Sequence, residues 1–338
     1  MKAVLYTEYG SPEVLQVKDI AKPVPQDNEI LVKVYASSVN YGDILARNMK
    51  EVTFKQFNMP MLFALIAKLS FGISKPKKNI LGSEFAGTIE AVGKDATRLK
   101  PGHEVYGYRA MKMGTNTEYL SIPENEIVTL KPSNMSFEEA STVPYGAMTA
   151  FNLLKNVSIK KGDKVLVNGA SGSIGSYALQ FAKYFGAEVT GVCGTNRLDF
   201  VKSLGADNVI DYKKEDFTKN GETYNLIFDV LGRSSFEENK NSLKKNGRVL
   251  YASFKSKKLF QMLWTKLFSG RDDKKVICAL APVSVNTLNS VTELIESGKI
   301  KTIIDKVFPM EEAAKAHRYI EEGEKKGNVI LKIAGEQI

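Results

Sequence analysis

The chain has 338 residues, 43% of them hydrophobic and 25% charged, with 26 Gly, 11 Pro, two Cys and two His. Such a composition fits a globular protein of about two domains and excludes a disulfide scaffold, a collagen-like repeat, a wholly disordered chain and a four-cysteine zinc lobe. The net charge is +9, and the window 239–278 carries all of it, with eleven Lys and Arg against Asp272 and Asp273. Extending the window to take in Glu237 and Glu238 still leaves +7. The basicity is local.

In chain order, the N-terminus MKAVLYTEYG alternates like a strand and lacks the apolar core of a secretory signal. Cys193 and Cys278 fit a reducing compartment, and a cytoplasmic location is expected. Short β signals follow: AVLYTEY (3–9), EILVKVYASSVN (29–40), GTIEAVG (87–93), HEVYGYR (103–109) and TEYLSIP (117–123), punctuated by Gly and Pro. Residues 1–125 therefore read as a compact, β-rich domain. An insert near 50–78 reads as helical. Its apolar stretch 57–67 is broken by Pro60 and ended by Lys68, well short of the roughly 20 residues needed to span a bilayer.

From residue 126 the rhythm changes. Ser136 and Glu139 form a capping-box pattern ahead of a helix running toward Lys155. Strands are then predicted at 164–170, 188–193, 208–212, 224–230, 247–253 and 275–283, with helices at 173–185, 197–204 and near 235–244. Apolar, β-branched strands alternating with helices imply a doubly wound parallel sheet, covered on both faces, over 126–284. Residues 285–338 add helices at 286–297 and 311–322 and strands at 301–308 and 328–333. They read as a return to the first domain.

The strand at 164–170 runs into Gly169-Ala170-Ser171-Gly172-Ser173-Ile174-Gly175 and a helix whose apolar face is Ile174, Ala178, Phe181, Ala182 and Phe185. A glycine turn between strand and helix brings backbone N–H groups to a pyrophosphate at the helix N-terminus. Ala170 stands where the usual fingerprint has its first glycine. The end of the next strand, Gly191-Val192-Cys193-Gly194-Thr195-Asn196-Arg197, has no acid to hold a ribose 2′-hydroxyl. Thr195 and Arg197 could hold a 2′-phosphate by hydrogen bond and charge, and Tyr212 would border the adenosine. NADPH is the expected cofactor. An ordinary tight turn and a solvated Arg197 are the plainer alternatives.

The segments VNYGD (39–43), ILGSEFAGTIEAVG (80–93), PGHEVYG (101–107), VPYGAMTAF (143–151), NGASGSIG (168–175), SLGADNVIDY (203–212) and the closing AHRYIEEGEKKGNVILKI together resemble the medium-chain dehydrogenase/reductase superfamily. Within it the chain is most similar to zinc-independent quinone oxidoreductases and to relatives labelled NAD(P)-dependent alcohol dehydrogenases. The resemblance implies an α/β fold: a Rossmann doubly wound sheet plus a β-rich GroES-like catalytic domain. Zinc alcohol dehydrogenases place a Cys near Tyr41 and a His before Glu84; here Ser83 takes the His position and no Cys precedes Cys193. No zinc is therefore expected, and an acceptor must already be electrophilic, as quinones and α,β-unsaturated carbonyls are.

The resemblance further implies that Asn40, Tyr41 and Asp43 face the substrate, Asn40 donating to its carbonyl and Tyr41 supplying a proton. Turn and capping chemistry is the plainer role for Asn40 and Asp43. Other cofactor contacts carried over are Thr149, Leu231 and Gly232, Ser253 and Phe254, and Asn328. His103 reads as a surface-turn substitution and His317 as structural. Two apolar helical faces remain, Met61, Leu62, Leu65, Ile66 and Leu69, and the stretch 259–268 inside the basic window. Core packing plus a homodimer contact is one reading; a greasy wall over the acceptor, with lysines touching an anionic membrane, is another. No nucleic-acid partner is expected. The alternative to an enzyme is an NADP-bound adaptor, or a nucleic-acid or membrane-surface binder, with little turnover.

Overall fold

The computed structural model describes residues 1–53, 59–268, 274–279, 282–323 and 325–335. Several expectations fall on positions outside the described residues: Phe57 of the apolar stretch, the side chain of Phe268, the charges Arg271, Asp272 and Asp273, and positions 280 and 281 of the strand expected over 275–283. Among the described residues no helix is long and apolar enough to cross a membrane.

The first region forms β1 (Lys2–Leu5), β2 (Gln16–Asp19), β3 (Glu29–Val39), α1 (Tyr41–Arg47), α2 (Met61–Phe71), β4 (Glu84–Val92), β5 (Glu104–Tyr108), β6 (Tyr119–Pro123) and β7 (Ile127–Leu130). β3 pairs with three different strands, so most of its residues are buried and its alternation fades. β4 starts three residues before the GTIEAVG reading and so brings Glu84 into the buried sheet. Among the described residues of the insert expected near 50–78, the long helix is α2. One helix was expected from Ser136 to Lys155, but there are two, α3 (Phe137–Ala140) and α4 (Val143–Asn156). The Ser136–Glu139 capping box forms as expected. Between the helices, Ser141 and Thr142 turn their hydroxyls back onto the carbonyls of Glu138 and Glu139. Pro144 then sits in the first turn of α4, where its missing N–H does no harm.

The second region runs β8 (Lys164–Asn168), α5 (Ser173–Tyr184), β9 (Glu188–Cys193), α6 (Leu198–Ser203), β10 (Asn208–Asp211), β11 (Tyr224–Asp229), α7 (Phe236–Lys240), β12 (Leu243–Tyr251), α8 (Ser256–Phe268) and β13 (Lys275–Cys278). Its six strands lie in the order β10-β9-β8-β11-β12-β13, every pair parallel. In sequence terms that is 3-2-1-4-5-6, the Rossmann order, with its switch point between β8 and β11. β12 begins at Leu243 rather than 247, because Leu243 pairs with Tyr224 ahead of a bulge. That pairing truncates the helix expected near 235–244 at Lys240.

The tail adds α9 (Val285–Glu296), β14 (Ile304–Pro309), α10 (Ala313–Glu321) and β15 (Asn328–Lys332). β15 pairs antiparallel with β3, so the C-terminus completes a seven-stranded sheet of order β14-β15-β3-β4-β5-β7, with β6 on β3. The chain divides into two compact units: Met1–Val52, Ile66–Met148 and Val283–Ile338 form one, Thr53–Leu65 and Thr149–Pro282 the other. The fold is thus a Rossmann parallel sheet plus a β-rich GroES-like unit, as the sequence implied.

Candidate functional site

In the second unit, the carboxyl ends of β8 and β11 meet at the switch point where open α/β sheets bind ligands. Gly169 leaves β8 with φ +91°, a conformation strained for any side chain. α5 then starts so close to the strand that a Cβ on Gly175 would lie 2.0 Å from the Gly169 carbonyl oxygen. Only glycine fits there. Gly172, the N-cap, faces open space: a Cβ there would meet nothing nearer than 3.7 Å. Ser173, the first residue of α5, has a buried Oγ with no hydrogen-bond partner. The first N–H groups of a helix also lack partners one turn back. This end of α5 is built to receive an anion from outside the fold.

Asp229, fully buried at the end of β11, organises the opposite wall. Its carboxylate accepts from the N–H groups of Gly232 and Ser234, from Ser234 Oγ and from Asn168 Nδ2. The side chain of Leu231 lies against Gly169. Lys258 of α8 donates to the Gly232 carbonyl and sits 3.8 Å above the Tyr251 ring, and burial lowers its pKa. Sequence reasoning missed Asp229 and Lys258. A lone acid closing an apolar strand was the available signal for Asp229; nothing in the sequence marked Lys258.

At the far end of the turn, Gly194 lies beside the ring of Tyr212, which is exposed. Arg197 is half-buried at the start of α6. The end of β9 carries no acid, as read from the sequence, but the neighbouring strand brings one to it. Asp211, closing β10, accepts a 2.6 Å hydrogen bond from Thr195 Oγ1 and another from the Lys213 N–H. Those bonds, the Thr195 bond foremost, hold the Asp211 carboxyl below its usual range, with Lys214 and Lys213 adding to the effect. The acid comes from the neighbouring strand, so reading β9 alone could not find it. Thr195 has given its only hydroxyl hydrogen to Asp211, which leaves Arg197 as the predicted residue able to bind a 2′-phosphate by charge.

In the first unit, the segment between β3 and α1 is held from below. Asn40 is buried, and its Nδ2 donates to Ser38 Oγ at 3.0 Å and to Glu84 Oε2. Glu84 also accepts from Ser38 Oγ and from the Tyr145 N–H. Asp43 is fully buried, one oxygen accepting from the Asn40 N–H and the other from the Gly82 N–H. Asp43 therefore does not face a substrate; it pins two backbone segments. Asn40 could donate to a carbonyl only by giving up Ser38 or Glu84. Of the three expected catalytic residues, Tyr41 alone is exposed. Burial pushes Glu84 up to about 7 and Asp43 to about 6, with the hydrogen bonds just named opposing it. Burial also lowers Lys325, which feels both carboxylates.

The remaining residues occupy plainer places. Thr149 and Ser253 are half-buried. Phe254 is buried in a core cluster with Tyr251 and Val276, so only its backbone could meet a ligand. Asn328 is buried and donates to the Ile303 carbonyl, while its Oδ1 lacks a partner. The backbone N–H of Lys100 donates to His103 Nδ1 within a surface turn. His317 is fully buried against Arg47, and burial together with that charge pushes its pKa down to about 3. Arg47 also pairs with Glu321. That cluster is structural.

Residues 26–132 match the alcohol dehydrogenase GroES-like domain family, and residues 204–331 match the zinc-binding dehydrogenase family. The chain belongs to the medium-chain dehydrogenase/reductase superfamily. It is 30% identical to the 2-methylene-furan-3-one reductase of Solanum lycopersicum, over 98% of this chain and 79% of that protein. It is also 30% identical to the NAD(P)H oxidoreductase RTN4IP1, mitochondrial, of Bos taurus, over 98% of this chain and 89% of that one. The solved quinone oxidoreductase of Coxiella burnetii has the same fold, with a TM-score of 0.82 at 24% identity and 99% coverage of both chains.

The second family description implies a zinc ion, and the residues present do not fit one. Tyr41 and Ser83 stand where a thiolate and an imidazole would be needed. Among the described residues no group of three or more His, Cys, Asp or Glu could hold a metal. Burial pushes both thiols, Cys193 and Cys278, up to about 11, so neither is a ready thiolate. A dinucleotide does fit: the orphaned Ser173 Oγ, the open face of Gly172 and the N-terminus of α5 lie together at the switch point.

Proposed function

We propose that the protein is a zinc-independent, NADPH-dependent reductase that delivers a hydride to a quinone or an α,β-unsaturated carbonyl. The observation that carries this reading is the pairing of an intact phosphate turn with a first unit that has lost its zinc ligands at Tyr41 and Ser83. When bound, the nicotinamide supplies the hydride. The chain's own residues bind and orient. Ser173 and the N-terminus of α5 hold the pyrophosphate, and Arg197 holds the 2′-phosphate. The loop fixed by Asp229 lines the cofactor side. Without a Lewis acid, the acceptor must be able to spread the developing negative charge through its own conjugation. Tyr41 is the exposed phenol from which an enolate takes its proton.

The name of the tomato relative, a 2-methylene-furan-3-one reductase, supports an exocyclic enone as one acceptor type. The test mixes the protein and NADPH with a naphthoquinone, an enal and a saturated ketone, and follows the loss of nicotinamide absorbance. Turnover with either conjugated acceptor, unchanged by a chelator, is expected. Reduction of the saturated ketone alone, or no turnover with any of the three, would reject the reading.

A further inference from the structure

α8 carries a second amphipathic pattern that cofactor binding does not use. One side is anchored: Leu259 and Met262 pack on the core cluster, Thr265 Oγ1 accepts from the Val276 N–H, and Met262 Sδ accepts from the Cys278 N–H at 3.3 Å. The helix is therefore docked, and the residues on its other side face outward by construction. They are Phe260 at 67% exposure, Leu263 at 53%, Trp264 at 56% and Leu267 at 72%. Spacings of three, one and three residues put them on a single stripe. At 100° per residue, Lys257 falls at one margin of the stripe, while Lys266 falls about 60° beyond Leu263, next to Leu259; both lysines are exposed.

The surrounding sequence is basic on balance, with eleven Lys and Arg against Asp272 and Asp273 between 239 and 278. Lys274 reaches the Lys240 carbonyl, and Lys275 opens β13, the strand on which α8 packs. Among the described residues from 239 to 278 there is no acid, and Glu237 and Glu238 lie just outside that range. Large apolar side chains exposed together on one stripe mark an interaction surface. A second copy of this chain would suit it poorly. A two-fold contact through the stripe would bring each lysine margin against the same margin of its mate.

We propose that the exposed stripe of α8 docks on an anionic lipid surface. Phe260, Leu263, Trp264 and Leu267 insert to the level of the headgroups, and the exposed Lys257 and Lys266 engage the lipid phosphates. This goes beyond the reductase reading, because none of these six side chains belongs to the dinucleotide site.

Trp264 is the only tryptophan in the chain and so reports its own insertion. The full-length protein is titrated with vesicles of phosphatidylcholine alone and of phosphatidylcholine with phosphatidylserine, at low and high salt. A blue shift of Trp264 and co-sedimentation are expected with the phosphatidylserine vesicles, weakened tenfold or more by high salt. The double substitution Lys257→Glu and Lys266→Glu should weaken binding by at least tenfold, at roughly fivefold per lysine charge lost. Turnover with a short, soluble enone should not change. Phe260→Ser with Leu267→Ser should abolish the shift, with circular dichroism confirming the fold. No shift at low salt, equal binding to neutral vesicles, or full binding by the Lys→Glu variant would each overturn the proposal. A shift that grows with protein concentration in the absence of lipid would overturn it too, by assigning the stripe to a second copy.

Discussion

The end of α5 and the segment before α1 are both turns between a strand and a helix, and both are rich in polar groups. They use them in opposite ways. At α5, the Ser173 hydroxyl has no partner, a Cβ on Gly172 would find room, and among the described residues no N-cap side chain caps the helix. Before α1, the Asn40 side-chain amide and both carboxylates, Asp43 and Glu84, are bonded within the fold, to the backbone, to Ser38 Oγ or, for Asn40 and Glu84, to each other. A polar group already satisfied inside the fold gains little from a ligand; one left unsatisfied gains a great deal. The first turn is a receptor and the second a frame.

The contrast can be broken in stages. The largest effect is expected at Gly175, where an added Cβ meets the backbone of Gly169 and Ala170 with no flexible side chain to yield. Gly175→Ala should destabilise the second unit by about 3 kcal/mol and remove NADPH binding, read by thermal unfolding and cofactor titration. Gly172→Ala should leave stability intact and lower only the affinity. Similar losses of stability in the two variants would show that the turn is not built as described.

The frame is tested by pH. Burial raises Glu84 from its ordinary 4.5 to about 7, so between those values the folded chain holds a proton that the unfolded chain releases. Its contribution to stability therefore falls as pH rises from about 4.5 to about 7, by on the order of 3 kcal/mol in total. Asp43 acts in the same direction up to about 6. His317 acts in the opposite direction below its ordinary 6.5, because the folded chain keeps it neutral down to about 3. Glu84→Gln removes one of these three. Its stability relative to wild type should climb steadily across that window in denaturant titrations, and a flat difference would mean that Glu84 is ionised throughout.

Asp229→Asn should cost about 2 kcal/mol, since an amide nitrogen would face N–H donors at Gly232 or Ser234. A cofactor-induced rise in melting temperature should shrink with it. The smallest effect is expected at Arg197→Ala, which should weaken NADPH by about tenfold through loss of a charge-assisted contact and leave NADH nearly unchanged. Equal weakening of both would place the 2′-phosphate elsewhere.

The doubly wound parallel sheet was legible because apolar strands such as KVLVN and NLIFD alternate with helices at a fixed rhythm, and the Gly169–Gly175 spacing is local. The expected receptor was legible for the same reason. What the sequence hid are contacts between distant segments. Asp211 reaches Thr195 only because β10 lies beside β9, and Glu84 reaches Asn40 only because β4 lies beside β3. The roles expected of Asn40 and Asp43 came from the family resemblance, and burial, which a local pattern does not show, turned Asp43 into a pin. The missing zinc ligands were readable at once, since they depend on residue identity alone.

The central claim is a hydride passed from NADPH to a conjugated carbon without a metal. NADPH deuterated at the transferable position, incubated with a chelator-treated sample and a cyclic enone, should yield a saturated ketone with one deuterium on the carbon β to the carbonyl. Product without deuterium at that carbon, or deuterium found on a carbinol carbon instead, would contradict the account.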